Sequence, residues 1–133
     1  MADAHAQLND YRQSPRKTRV VANMVRGKKI SVALETLKFM PKRASAPLQK
    51  LIASALSNAK NLNLKEENLI VKEIRVDGGA ILYRRMPRSR GMSNPIRKRT
   101  SHVSVILTEK EPKLKKSKSN KPALSADELK ANS

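Results

Sequence analysis

Seven arginines and lysines fall between Arg84 and Arg99, in the run RRMPRSRGMSNPIRKR, and no acidic residue stands from Gly78 to Thr108. Arg84, Arg85, Arg88, Arg90, Arg97, Lys98 and Arg99 repel one another unless anions lie among them. The chemistry open to such a set is phosphate neutralisation with release of counterions. Guanidinium groups add forked hydrogen bonds to phosphate oxygens and stacking on bases. A second set comes earlier. Arg16, Arg19, Asn23 and Arg26 recur at i, i+3, i+7 and i+10 on one helix face, with Lys17, Lys28 and Lys29 nearby. An ordinary solvated face has the same pattern, but the lack of carboxylates from Ser14 to Ile30 favours a phosphate-facing surface. Arg12, Lys42, Arg43 and His102 complete the candidate set.

Composition points the same way. The chain has 133 residues, with 29 Lys plus Arg against 11 Asp plus Glu, a formal net charge of +18. Such an imbalance favours nucleic acid or an anionic membrane as partner. No apolar run reaches the length of a membrane span, and the N-terminus lacks a signal peptide's apolar core, so a cytosolic-type protein is expected. The chain contains no Cys, which removes disulfides and thiolate metal sites. Its aromatics are Tyr11, Phe39 and Tyr83, too few for the stacking platform of a single-strand binder. Binding is therefore expected through phosphates, riboses and shape.

Catalysis finds little footing. His5 and His102 lie on unrelated segments. There is no phosphate-loop glycine pattern, carboxylate pair or metal-ligand spacing, and Gly78-Gly79 is too short to cradle a nucleotide. A nuclease needs carboxylates to hold its metal, and the acid-free stretch has none. The chain reads as a non-enzyme without cofactor or metal.

The elements that must position these cations are legible in outline. Residues 1–13 are polar and accommodate one short strand. Ser14-Pro15 opens a helix that Gly27 stops, with Val20, Val21, Met24 and Val25 as its apolar stripe. Ile30-Ser31 opens a second helix, with Ala33, Leu34, Leu37 and Met40 inward and Pro41 at its end. A third runs from about Arg43 to Asn61, with Ser45 as its expected cap and Pro47 in the first turn. Leu48, Leu51, Ile52, Ala55, Leu56 and Ala59 give it the strongest helical period in the chain. Leu69 to Val76 alternates as a strand, with Ile70, Ile74 and Val76 on one face and Lys72 as an exception. Val103, Val105 and Leu107 mark a last strand.

These elements predict an α+β body of three helices on a small antiparallel sheet, covering residues 1–110. A long hairpin, about 77–102, protrudes from it and is expected to be flexible until its partner orders it. Asp77-Gly78 is either a hairpin turn or a bend where the ribbon leaves the sheet. The bend is preferred because it needs no extra strand partner. Residues 111–133 read as a basic, disordered tail.

In order along the chain stand SPRKTRVVANMVRGKKISVAL, SALSNAKN, VDGG, RRMPR-x-RG and KRTSHVSVIL. Together they resemble large-subunit ribosomal protein twenty-two of the bacterial or organellar type, over about residues 6–109. The resemblance implies a compact body at the outer mouth of the peptide exit tunnel and a hairpin passing inward through large-subunit ribosomal RNA. The hairpin loop corresponds to Leu82–Ile96. Its tip, Met86, Pro87, Arg88, Ser89, Arg90, Gly91 and Met92, then lines the tunnel wall. The basic helix face corresponds to Arg16, Lys17, Arg19, Arg26, Lys28 and Lys29. The implied partners are ribosomal RNA, neighbouring ribosomal proteins and the nascent peptide, around a monomer in the cytoplasmic ribosome, with an organellar matrix as the alternative location. Met92 stands where the family usually has a basic residue, and Pro95 is a further departure. From another class, a DNA-bending protein with β-ribbon arms would use Pro87 or Pro95 as a wedge between base pairs.

Overall fold

The computed structural model describes residues 3–109, and the tail read over 111–133 lies outside them. The elements are β1 (Asp3–Tyr11), α1 (Pro15–Val25), α2 (Ile30–Phe39), α3 (Ser45–Asn61), β2 (Leu69–Pro87) and β3 (Ser93–Glu109). The strands form one antiparallel sheet in the order β1-β3-β2, so the last strand is central. The fold is the expected α+β class, three helices on an antiparallel sheet with a long hairpin.

The register explains the core. Leu8, Val103 and Val76 form one row across the sheet; Ala6, Val105 and Ile74 form the next; Ala4, Leu107 and Val71 form the third. Residues directly opposite share a face, so three apolar rows meet the helices together. Against them lie Val21, Ala22 and Val25 of α1, Ile30, Ala33 and Leu37 of α2, and Leu48, Ile52, Ala55 and Ala59 of α3, all buried. The alanines let α3 approach β1 closely.

Several expectations need correction. Val20 and Met24 are 57% and 47% exposed. The buried stripe of α1 is Thr18, Val21, Ala22 and Val25. Hydrophobicity ranks Val20 above Thr18, but the Thr18 hydroxyl donates to the Ser14 carbonyl at 3.2 Å and is thereby fit for burial. Ile70 does not share the face of Ile74 and Val76. Leu69 and Val71 are buried, the register then slips by one residue at Lys72, and Ile74 and Val76 resume the buried phase. The Lys72 exception was the trace of a bulge. Its ammonium pairs with Asp3 at 2.7 Å. Ser45 is the first residue of α3 rather than its cap; Ala44 holds the cap position. Ser14 is at the cap of α1, but its side chain makes no capping bond. β1 is nine residues long, and its polar appearance reflects one covered face.

Both outer edges of the body sheet are partly covered. On β1, Asn58 of α3 donates to the His5 carbonyl at 2.8 Å. Along β2, Gly27 N–H donates to the Val71 carbonyl at 2.9 Å, and Val71 N–H to the Lys28 carbonyl at 3.0 Å. After the bulge, Arg26 donates to the Ile74 carbonyl at 2.8 Å and Arg19 to the Val76 carbonyl at 2.8 and 3.0 Å. These carbonyls, and the Val71 N–H, are thus closed to pairing with another chain.

No turn forms at Asp77-Gly78. β2 runs on, and the register slips between Gly78 and Ile81, so Gly79 and Ala80 lie against Thr100. A Cβ at Gly79 would stand 2.5 Å from Thr100 Oγ1 and 2.8 Å from His102 Nε2. Thr100 Oγ1 is committed to the Ala80 carbonyl at 2.6 Å and has little room to retreat. Gly79→Ala is therefore expected to destabilise the hairpin root by about 1–3 kcal/mol. Hydrogen exchange at Ala80–Leu82 and Ser101–Val103 should accelerate, while exchange in α3 stays slow.

Candidate nucleic-acid interface

Beyond the last buried row, Val76 with Val103, the ladder continues from Asp77–His102 to Pro87–Ser93. At about 3.3 Å per residue, this ribbon extends about 36 Å from the body. Every residue from Leu82 to Arg99 is exposed, as expected for a segment that belongs to no protein core.

The turn is Ser89–Gly91. Arg88 N–H donates to the Met92 carbonyl at 2.7 Å, and Met92 N–H to the Ser89 carbonyl at 3.3 Å. Arg90 and Gly91 are both left-handed, with φ of 58° and 70°. Gly91 adopts this without steric penalty; Arg90 does so at roughly 1–2 kcal/mol. Met86 and Pro87 are paired strand residues, whereas Arg88 to Met92 form the closed loop.

The register sorts the ribbon into two faces. Leu82, Arg84 and Met86 oppose Lys98, Ile96 and Asn94; Tyr83, Arg85 and Pro87 oppose Arg97, Pro95 and Ser93. Cations stand on both faces, but the exposed apolar residues Leu82, Met86 and Ile96 share one, while Tyr83 stands among arginines on the other. Sequence reasoning missed Leu82, Tyr83 and Ile96 as surface features. The signal was the two-residue alternation, unusable until the turn position fixed which legs' residues face together.

The body cations divide into distinct groups. Arg19 and Arg26 are partly engaged by the β2 carbonyls described above. Lys28 and Lys29 continue along the same edge, where Lys29 bridges to Ile70. Arg16 is exposed and makes no side-chain hydrogen bond among the described residues. Arg12, Lys17 and Arg43 meet Arg97, Lys98 and Arg99 around a concavity of about 530 Å³ at the ribbon root. Lys42 lines an adjoining groove that shares Lys17 and Arg43. His102 sits apart from the ribbon's cations: its Nδ1 accepts the Asp10 N–H at 3.2 Å, and its ring lies over Gly79. That gives it a structural place at the root.

Among the described residues, the ion pairs are Lys60–Glu66, Lys72–Asp3 and Arg75–Glu73, with His102 and Asp10 at 3.9 Å. None of the candidate arginines and lysines is neutralised by a carboxylate, and no three metal-ligating side chains gather among the described residues. No helix there is long and apolar enough to cross a membrane.

The tied arginines predict a stability difference inside one helix face. Arg19→Ala and Arg26→Ala should each lower stability by about 1 kcal/mol through lost charged hydrogen bonds at the β2 edge. Arg16→Ala should leave it unchanged. Urea midpoints of the three variants make the comparison.

Residues 6–108 match the family model described as Ribosomal protein L22p/L17e. Among curated proteins, the chain is 46% identical over 110 residues to a protein of Citrifermentans bemidjiense, covering 82% of this chain and 99% of that one. It is 51% identical over 108 residues to one of Christiangramia forsetii, covering 78% and 80%. It is 44% identical over 111 residues to one of Lactobacillus helveticus, covering 83% and 95%. Each of these relatives bears the name large ribosomal subunit protein uL22. A match across the body, the ribbon and the last strand, with identity at this level, means that the chain belongs to the ribosomal protein L22p/L17e family.

Proposed function

We propose that the chain is a structural constituent of the large ribosomal subunit that binds large-subunit ribosomal RNA and supports its assembly. The observation that carries this reading is the acid-free ribbon, cationic on both faces and supported at its root by further basic residues. A two-stranded ribbon of this length has no core of its own. RNA packed against both faces supplies the missing surroundings, and phosphates relieve its self-repulsion. Arg12, Arg16, Lys17, Lys28, Lys29, Lys42 and Arg43 extend the contact over the body, and Arg19 and Arg26 retain free N–H groups for the same purpose. The protein is a structural one, without catalytic activity, and its place is the cytoplasmic ribosome.

The turn from Arg88 to Met92, flanked by Met86 and Pro87, is narrow and sets two arginines beside exposed methionines. It suits a site beside the emerging peptide, lining the exit path by shape and charge. Met92 is 69% exposed and makes this part of the tip less positive than an arginine or lysine would. The protein acts as a monomer, with neighbouring ribosomal proteins beside it. The DNA-bending reading needs a proline at the arm's turn, yet Pro87 and Pro95 occupy paired strand positions.

A sizing run with a binding competition tests the proposal. The expected result is a monomer that prefers folded large-subunit RNA to duplex DNA. A dimer preferring DNA would overturn it.

A further inference from the structure

The concavity at the ribbon root is built from two separate halves. Arg12, Lys17 and Arg43 come from the body: the link after β1, the first turn of α1, and the link before α3. Arg97, Lys98 and Arg99 come from the ribbon leg of β3. No carboxylate lines it. Left empty, the two triplets of like charge push the ribbon away from the body. With an anion between them, repulsion becomes attraction.

The wall also carries two uncharged polar residues, Gln13 and Ser14. The Tyr11 hydroxyl lies 2.5 Å from Gln13 Oε1 and 3.3 Å from the Arg43 carbonyl. Burial raises the Tyr11 phenol above its ordinary value against the pull of Arg43, and its single O–H is directed at Gln13 rather than into the concavity. Gln13 Oε1 is the acceptor in that contact, which leaves the Gln13 amide NH₂ free on the wall of the concavity. Ser14 also lines it, with a hydroxyl that makes no capping bond.

We infer that this concavity is a phosphate seat that clasps the ribbon to the body, so that occupation by an anion sets the ribbon's angle. Its volume of about 530 Å³ exceeds that of a single phosphate and admits a short stretch of phosphodiester backbone. The shared ligand chemistry is the phosphate group, whether in an RNA backbone or as a free anion. An anion that needs both halves binds only the closed arrangement and shifts the population toward it. This goes beyond RNA attachment: the first phosphates to arrive at the root orient the rest of the hairpin for threading. It rests on the RNA-binding reading, but free anions test it independently of the ribosome.

The chain has no native cysteine, so a spin-label pair at Ser57→Cys on α3 and Met92→Cys at the tip can report the ribbon's angle by electron–electron distance measurement. Pyrophosphate, and separately a tetraribonucleotide with hydroxyl ends, are titrated at constant ionic strength against chloride. The distance distribution is expected to narrow with either probe. Lys17→Ala with Arg43→Ala should weaken the pyrophosphate midpoint by about tenfold or more, because charged hydrogen bonds are lost. Lys38→Ala with Lys50→Ala removes the same charge at exposed positions outside the seat and outside the ribbon, and should leave that midpoint in place. Circular dichroism checks that both variants stay folded. Tighter action by the oligonucleotide assigns the seat to RNA backbone; tighter action by pyrophosphate assigns it to a free anion, and either supports the clasp. A distribution unmoved by both probes would overturn it, as would an equal loss in the two double variants. A clasp that works in a protein failing to bind large-subunit RNA would contradict the ribosomal reading alone.

Discussion

Replacing Arg84–Ile96 with Asn-Gly leaves thermal unfolding of the body cooperative at an unchanged midpoint, while affinity for large-subunit RNA collapses. The replacement joins Tyr83 to Arg97, which already face each other across the ribbon. Asn-Gly is the favoured two-residue hairpin turn, so the shortened ladder closes in register. None of the excised residues is buried, and every apolar row of the sheet lies outside the cut. Arg84, Arg85, Arg88 and Arg90 are lost. If each meets a phosphate, the slope of log affinity against log salt should become shallower by roughly 3 units. A salt titration of RNA binding, paired with calorimetry, gives both halves of the result. Loss of cooperative unfolding would mean that the ribbon supports the body; an unchanged salt slope would mean that its arginines do not meet phosphates.

Ile52→Ala should do the reverse. Ile52 is fully buried on the inner face of α3. Truncating a large aliphatic side chain in such a place costs about 2–5 kcal/mol, a large part of a small domain's total stability of about 5–15 kcal/mol. The thermal midpoint should drop by at least roughly 8 °C. RNA affinity measured well below the new midpoint should stay near that of the parent, because Ile52 touches no candidate cation group. An Ile52→Ala protein melting like the parent would show that the three apolar rows are not the core. Together the two variants separate what folds the chain from what binds its partner.

How much of this was visible in the sequence follows from which forces are local. α3 was legible because its apolar residues recur at one helical period over 17 residues. The ribbon's cations were legible because composition alone excludes them from a core. The face of β2 was not, because one extra residue at Lys72 reverses the phase of every side chain beyond it, and only the partner strand reveals a bulge. Thr18 in place of Val20 was hidden for a related reason: a hydroxyl can be buried once a carbonyl one turn away accepts it. Arg19 and Arg26 looked like their neighbour Arg16. Their hydrogen bonds run to Val76 and Ile74, far along the chain, which no helical wheel contains. The basin at the ribbon root was invisible in the same way, since Arg12, Lys17, Arg43 and Arg97–Arg99 come from four stretches that meet only in the fold.

The acid-free ribbon gains its meaning from what surrounds it, and the most direct test is therefore sedimentation with large ribosomal subunits. The full chain, added to growing cells under a tag, should be recovered with large subunits after washing at high salt, in equal number with them. Ordinary surface charge would be stripped by that wash, whereas a ribbon threaded through RNA would not. Recovery of the protein free in the supernatant, or bound instead to DNA, would contradict the account.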